Sequence, residues 1–183
     1  MKKINIFSDV AVITPDTFED SRGFFSETYN KQTFSKHGIN LDFVQDNHSF
    51  SSQIGTLRGL HFQSQPFAQD KLVRVIRGSI LDVAVDIRKG SPTYGKHVKA
   101  VISSAEWNQI LIPKGFAHGL LTLEENTELL YKVTDVYNQE SDLGLLWNDP
   151  DLNIDWSFNG EITLSEKDHI QPAFKDLGDY FTY

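Results

Sequence analysis

The chain has 183 residues, no cysteine, and 25 Asp plus Glu against 17 Lys plus Arg, for a formal charge of -8. That length holds one domain with a real core rather than two. The acidic balance argues against nonspecific nucleic-acid binding, and the missing cysteines exclude a disulfide scaffold, thiolate chemistry and zinc-thiolate sites. No run approaches the length of a membrane span, and Met1 to Asp9 lacks a sustained apolar core. A single cytoplasmic domain over residues 1–183, with no membrane and no nucleic-acid partner, is therefore expected.

In chain order, Val10 to Thr14 alternates as a strand and Pro15-Asp16 turns it. Asp20-Ser-Arg-Gly23 reads as a turn and Phe24 to Tyr29 as a strand. The spacing predicts one short helix from Asn30 to His37, with Asn30 as N-cap, Phe34 inward and Gly38 closing it. Phe43 to Phe50 predicts a strand. Leu57 to Gln63 predicts another, with Leu57, Gly59, His61 and Gln63 on one face and Arg58, Leu60 and Phe62 on the other. Short β runs then follow at Leu72–Ile76, Ile80–Ile87, Lys96–Ile102, Gln109–Ile112, His118–Leu123, Thr127–Asp135 and Leu143–Trp147, broken by Gly, Pro and Ser turns. Such spacing argues an all-β antiparallel sandwich or barrel. Near the end, Ser165 caps a short helix that Pro172 closes, and a last helical turn is expected around Asp176 to Tyr180.

Two stretches bear on chemistry. In Asp82-Val-Ala-Val-Asp86, Asp82, Ala84 and Asp86 share one face and Val83, Val85 and Ile87 the other. A solvated acidic face over an apolar core is the ordinary pattern and the expectation for this strand alone; the alternative is carboxylates inside a barrel, orienting imidazoles. Tyr131 shares a face with Leu129 and Val133, as a core tyrosine does, and as a phenolic proton donor on an apolar wall would.

Gly55-x5-His61 and Pro113-Lys-Gly-Phe-Ala-His118 resemble the two cupin motifs, which belong to small jelly rolls. Where a further histidine and a glutamate would complete a metal site stand Gln63 and Phe67, so the resemblance supports a jelly roll and argues against a metal.

A longer set of motifs resembles the dTDP-4-dehydrorhamnose 3,5-epimerase family. It comprises Asp20-Ser-Arg-Gly-Phe-Phe-Ser-Glu27, Gln45-Asp-Asn47, Leu57-Arg-Gly-Leu-His-Phe-Gln63, Gln69-Asp-Lys-Leu-Val73, Asp82 to Asp86, Ser91-Pro-Thr-Tyr-Gly95, Ile112 to Gly119, Leu130-Tyr-Lys132, Trp147-Asn-Asp-Pro150 and Leu164-Ser-Glu-Lys-Asp168. The resemblance implies a cofactor-free, metal-free homodimer with a cupin-type jelly roll and a few short peripheral helices, acting on a dTDP-4-keto-6-deoxy-hexose. It further implies His61 as catalytic base, Asp168 as its partner, Tyr131 as acid and Lys71 as stabiliser of the enolate oxygen. Arg22, Glu27, Gln45, Asn47, Arg58, His118 and Lys167 match ligand-contacting positions, and Tyr137 matches the residue that stacks on thymine. Asp142 stands where the family usually has glutamate, and Asp70 where glycine is common. Because strict alternation puts Arg58 and His61 on opposite faces, contact of both with one ligand requires a bulge or bend near Gly59.

Overall fold

The structure is a computed structural model describing residues 1–183. Its elements in order are β1 (Lys2–Phe7), β2 (Val10–Thr14), β3 (Phe18–Asp20), β4 (Gly23–Phe25), α1 (Lys31–Lys36), β5 (Gln45–Ser51), β6 (Leu57–Gln63), β7 (Lys71–Arg77) and β8 (Ser79–Asp86). There follow β9 (Arg88–Lys89), β10 (His97–Ser103), β11 (Gln109–Ile112), β12 (Phe116–Thr122), β13 (Thr127–Val133), β14 (Asp142–Gly144), α2 (Glu166–His169), a 3-10 turn (Phe174–Asp176) and β15 (Phe181–Thr182). A six-stranded sheet in the order β1-β2-β11-β7-β13-β5 faces a five-stranded sheet in the order β10-β8-β12-β6-β14. Every pairing within the two is antiparallel. This is the expected jelly-roll sandwich. No helix is long and apolar enough to cross a membrane.

Three apolar layers explain the patterning. The layer between the sheets takes Val73, Val75, Ile110, Ile112 and Leu129 from one sheet, and Ile80, Ala84, Ile102, Phe116 and Leu120 from the other. A second layer covers the outside of the five-stranded sheet, where Leu81, Val83, Val85, Ala117 and Leu121 pack against Leu145, Leu152 and Trp156 of the C-terminal segment. The third lies outside the six-stranded sheet, where Phe34 and Ile39 pack on Ile13, Leu72 and Leu111. With only six residues, α1 is too short to be stable alone. It is held by the Asn30 side chain, which accepts from the backbone N–H groups of Gln32 and Thr33, and by Phe34, which is 2% exposed.

The second layer overturns the expectation for Asp82 to Asp86. Every residue of β8 is buried. The valines face the C-terminal cover rather than the intersheet core, and Asp82 and Asp86 turn inward, each 0% exposed. Local alternation cannot reveal that distant chain covers the outside of a strand.

Four local expectations change. Residues 2–7 form an unforeseen strand, β1, because β2 supplies a pairing edge. The strand expected over Phe24 to Tyr29 ends at Phe25, and that expected over Leu143 to Trp147 is Asp142–Gly144. The final helical turn lies at Phe174–Asp176, and Phe181–Thr182 instead pairs in parallel with β9.

Candidate active site

A cavity of about 400 Å³ opens between the sheets. Its wall from the five-stranded sheet carries Arg58 and His61 on β6 and His118 on β12. The facing wall carries Lys71 on β7 and Tyr131 on β13, and Asp168 closes one side from α2. Val73, Leu120 and Leu129 supply apolar lining.

The wall that carries Arg58 and His61 is built by the expected irregularity. His118 and Leu120 of β12 pair with His61 and Arg58 of β6, so Gly59 and Leu60 on β6 stand opposite the single residue Gly119 on β12. The extra residue moves Arg58 to the cavity side with His61, while Leu57 joins Leu60 and Phe62 in the outer layer. Strict alternation over Leu57 to Gln63 is thereby corrected. Gly59 has φ +136° at this point, and a Cβ there would lie 2.5 Å from the Cα of Gly119. Only glycine fits.

His61 Nε2 lies 2.5 Å from Asp168 Oδ1. Asp168 is 2% exposed and is placed by the Ser165 cap, whose Oγ accepts from its backbone N–H. Burial pushes the Asp168 carboxyl upward, but hydrogen bonds from His61, Ser165 and the backbone N–H of Gly59 outweigh it and hold the group below the usual carboxylate range. A carboxylate only accepts, so His61 presents Nε2–H to Asp168 and leaves Nδ1 as an acceptor. His118 Nε2 makes a similar contact with Asp82 Oδ2 at 2.9 Å.

On the facing wall, burial lowers the Lys71 ammonium to about 8 against the opposing attraction of Asp142 and Asp82. Its Nζ donates to the carbonyl oxygen of His61 at 3.4 Å. Tyr131 is raised above its ordinary range, first by burial and then by Asp142, against the pull of Arg58, so it remains a proton-bearing phenol. His61 and Tyr131 thus stand on opposed sheets.

A second group of expected residues lies outside the cavity lining. Tyr137 is 59% exposed; its backbone N–H donates to Gln45 Oε1 at 3.1 Å and its hydroxyl to Asp142 Oδ2 at 3.2 Å. Lys167 Nζ donates to the same Asp142 oxygen at 2.5 Å, and Gln45 Nε2 donates to Asn47 Oδ1 at 2.8 Å. The shorter acidic residue at 142 therefore reaches both Tyr137 and Lys167. Arg22 and Glu27 do not line this chain's cavity: Arg22 pairs with Asp20 at 2.5 Å on the exposed β3–β4 hairpin, and Glu27 accepts from Asn30 and Thr33.

Gln63, at the cupin ligand position, ties two loops together by donating to the carbonyls of Phe67 and Val136 and accepting from the N–H of Asn138. No three His, Cys, Asp or Glu side chains are grouped to hold a metal ion, so the donor set does not fit one. Asp70 is likewise clipped, accepting from the backbone N–H of Lys114 and the hydroxyl of Thr134, and leaves Lys71 at the start of β7. Thr56 and Thr163, not singled out in the sequence, line the cavity through a parallel bridge between distant segments. No local pattern signals that pairing.

Residues 5–176 match the family described as dTDP-4-dehydrorhamnose 3,5-epimerase. An enzyme of that name from Sinorhizobium fredii is 50% identical over 176 residues, covering 96% of this chain and 90% of its own. The crystal structure of dTDP-4-dehydrorhamnose 3,5-epimerase from Elizabethkingia anophelis NUHP1 superposes with a TM-score of 0.91 at 45% identity, covering 96% of this chain and 97% of the other. The crystal structure of dTDP-6-deoxy-D-glucose-3,5-epimerase from Legionella pneumophila, in complex with dTDP-4-keto-L-rhamnose, superposes with a TM-score of 0.94 at 42% identity, covering 100% and 98%. A shared fold, near-complete coverage and identity near one half leave one assignment: this chain belongs to the dTDP-4-dehydrorhamnose 3,5-epimerase family.

Proposed function

We infer that the chain inverts C3 and C5 of dTDP-4-dehydro-6-deoxy-D-glucose to give dTDP-4-dehydro-L-rhamnose, in the cytoplasm and as a step of dTDP-L-rhamnose synthesis. The observation that carries the roles is the opposition of the His61–Asp168 pair on one wall to Tyr131 and Lys71 on the other. The C4 ketone acidifies the protons at C3 and C5. Nδ1 of His61 takes a proton from one of these carbons, and the C–H electron pair passes into an enolate with its charge on O4. Asp168 stabilises the imidazolium, and the Lys71 ammonium stabilises O4. Tyr131 gives its phenolic proton to the carbon from the other face; solvent then restores the phenol and removes the proton from His61. The cycle repeats at the second carbon, with no change of oxidation state.

Tyr137 is the platform for the thymine ring, with Gln45, Asn47 and Asp142 beside it, and Arg58 and Lys167 supply charge for the diphosphate. His118 meets a sugar hydroxyl. The working form is a homodimer in which the β3–β4 hairpin brings Arg22 and Glu27 to the site of a second copy. The exposure of Phe18, Phe24 and Phe25, at 63%, 55% and 70% on a hairpin without a core of its own, supports this.

The test is turnover of dTDP-4-keto-6-deoxyglucose in D2O, with NMR of the product after trapping by a 4-keto reductase. Deuterium at both C3 and C5 of an L-rhamnose product is expected. Inversion at one centre, or no turnover by folded protein, would refute the reading. Light scattering that gives a monomer at working concentration would remove the dimer.

A further inference from the structure

Tyr137 is held in an unusual way for an exposed ring. Val136, Tyr137 and Asn138 lie in irregular backbone between β13 and β14 and join no strand ladder. Side chains hold their polar groups instead. The Val136 N–H donates to its neighbour Asp135, and the Tyr137 N–H donates to Gln45 Oε1. Two further bonds, one on each side of Tyr137, go to a single residue: Gln63 Nε2 donates to the Val136 carbonyl at 3.1 Å, and Gln63 Oε1 accepts from the Asn138 N–H at 2.8 Å.

Gln63 ends β6, two residues after His61, and is 5% exposed. Its second Nε2 hydrogen goes to the Phe67 carbonyl at 2.7 Å, so the amide is anchored on the side away from Tyr137 as well. Its backbone stands opposite Asp142 in the β6–β14 pair, and Asp142 Oδ2 accepts the Tyr137 hydroxyl. The ring is therefore fixed at its backbone by the Gln63 side chain and at its hydroxyl by the strand partner of Gln63. The pattern demands an amide of this length. A carboxylate has no hydrogens for two carbonyls, an ammonium has no acceptor for an N–H, and asparagine is one methylene shorter.

We propose that Gln63 is the positioning residue of the thymine platform: by holding the backbone on both sides of Tyr137 it presets the ring for the nucleotide and ties it to the strand that carries His61. This rests on the reading of Tyr137 as that platform. Gln63 itself is buried and does not line the cavity, so it acts through Tyr137. The physical effect is preorganisation. Tyr137 is 59% exposed and has little packing to order it, so a segment freed from Gln63 would have to be ordered again each time the nucleotide binds, at a cost in affinity of about tenfold.

The experiment is a double-mutant cycle on dTDP affinity by calorimetry, with wild type, Gln63→Met, Tyr137→Ala and the double variant. Methionine keeps the length and loses all three bonds. Gln63→Met is expected to weaken dTDP about tenfold, and the double variant to bind no more than about threefold weaker than Tyr137→Ala alone. With the dTDP-sugar, Gln63→Met is expected to raise KM about tenfold while kcat stays within about threefold. A Gln63→Met protein with a lower melting temperature but unchanged dTDP affinity would overturn the proposal, since a clip that only stabilises the fold gives that result. So would a Gln63→Met loss that adds in full to the Tyr137→Ala loss. If Gln63→Met does not fold, Gln63→Glu keeps the bond from Asn138 and loses both donors. Its added charge acts on dTDP in either background, whereas a loss that runs through the ring disappears with Tyr137→Ala, so the cycle is read in the same way. Unchanged dTDP affinity of Tyr137→Ala would remove the platform and this role with it; a weakened Tyr137→Ala beside an unaltered Gln63→Met would remove the role of Gln63 alone.

Discussion

Replacing Lys71 by methionine should make the protein more stable and nearly inactive, and the stability gain should vanish at high pH. Burial lowers the ammonium of Lys71 from 10.5 to about 8, even with Asp142 and Asp82 pulling the other way. The sign follows from proton counts. Below pH 8 folded and unfolded chains both hold the proton, and the folded state carries the full cost of the buried charge. Between pH 8 and 10.5 the unfolded chain holds a proton that the folded chain has released, so stability rises with pH until the cost is gone. The gap corresponds to about 3 kcal/mol. At pH 7, Lys71→Met should therefore gain up to about 3 kcal/mol, or about 6 to 12 °C in melting temperature for a domain of this size. By pH 10.5 the two proteins should melt alike. Loss of the cation facing the enolate oxygen should lower kcat by about 100- to 1000-fold. Paired thermal melts from pH 7 to 10.5, with initial rates at pH 7, measure all of this. A variant less stable than wild type at pH 7, or a difference independent of pH, would refute the claim that the charge is held against its own desolvation.

Three further outcomes separate the other groups. His61→Asn should abolish solvent deuterium exchange at both C3 and C5, whereas Tyr131→Phe should retain exchange while inversion falls steeply at one centre or both; equal loss of both by a folded Tyr131→Phe protein would remove its role as the later acid. Tyr137→Ala should weaken dTDP binding by about 1 to 3 kcal/mol, by analogy with base stacking on aromatic side chains, and calorimetry that finds unchanged affinity would take Tyr137 out of the site. Asp86 accepts from Arg88, Ser91 and Thr93; burial raises it, but these bonds outweigh burial and hold it at about 2. Its stabilisation is complete above pH 3.8 and lost as the pH falls toward 2, so Asp86→Ala should be several kcal/mol less stable at pH 7 by denaturant titration, with the gap narrowing in acid.

The parts of the fold set by neighbouring residues were legible in the sequence. The Asn30 cap with its inward Phe34, the Ser165 cap that delivers Asp168, and the run Gln109–Ile112 all stand where local spacing places them. The need for a bulge at Gly59 could also be reasoned in advance, because two side chains of opposite parity cannot meet one ligand along a regular strand. What could not be read is whatever depends on chain far away. Val83 and Val85 have the same local sequence whether residues 145–156 cover them or solvent does, and only that cover makes the inward face of β8 carry Asp82 and Asp86. Arg22 and Glu27 show the same difficulty one level up. Their positions carry the resemblance to the family, yet in a single chain both lie on or beside an exposed hairpin away from the cavity. In the dimer proposed above, the distant segment that gives such residues a partner belongs to a second copy of the chain. The exposed phenylalanines that flank Arg22 support that proposal, because Phe24 meets only the ring of Trp107 while Phe18 and Phe25 remain 63% and 70% exposed, more apolar surface than a short hairpin leaves open without a surface to meet.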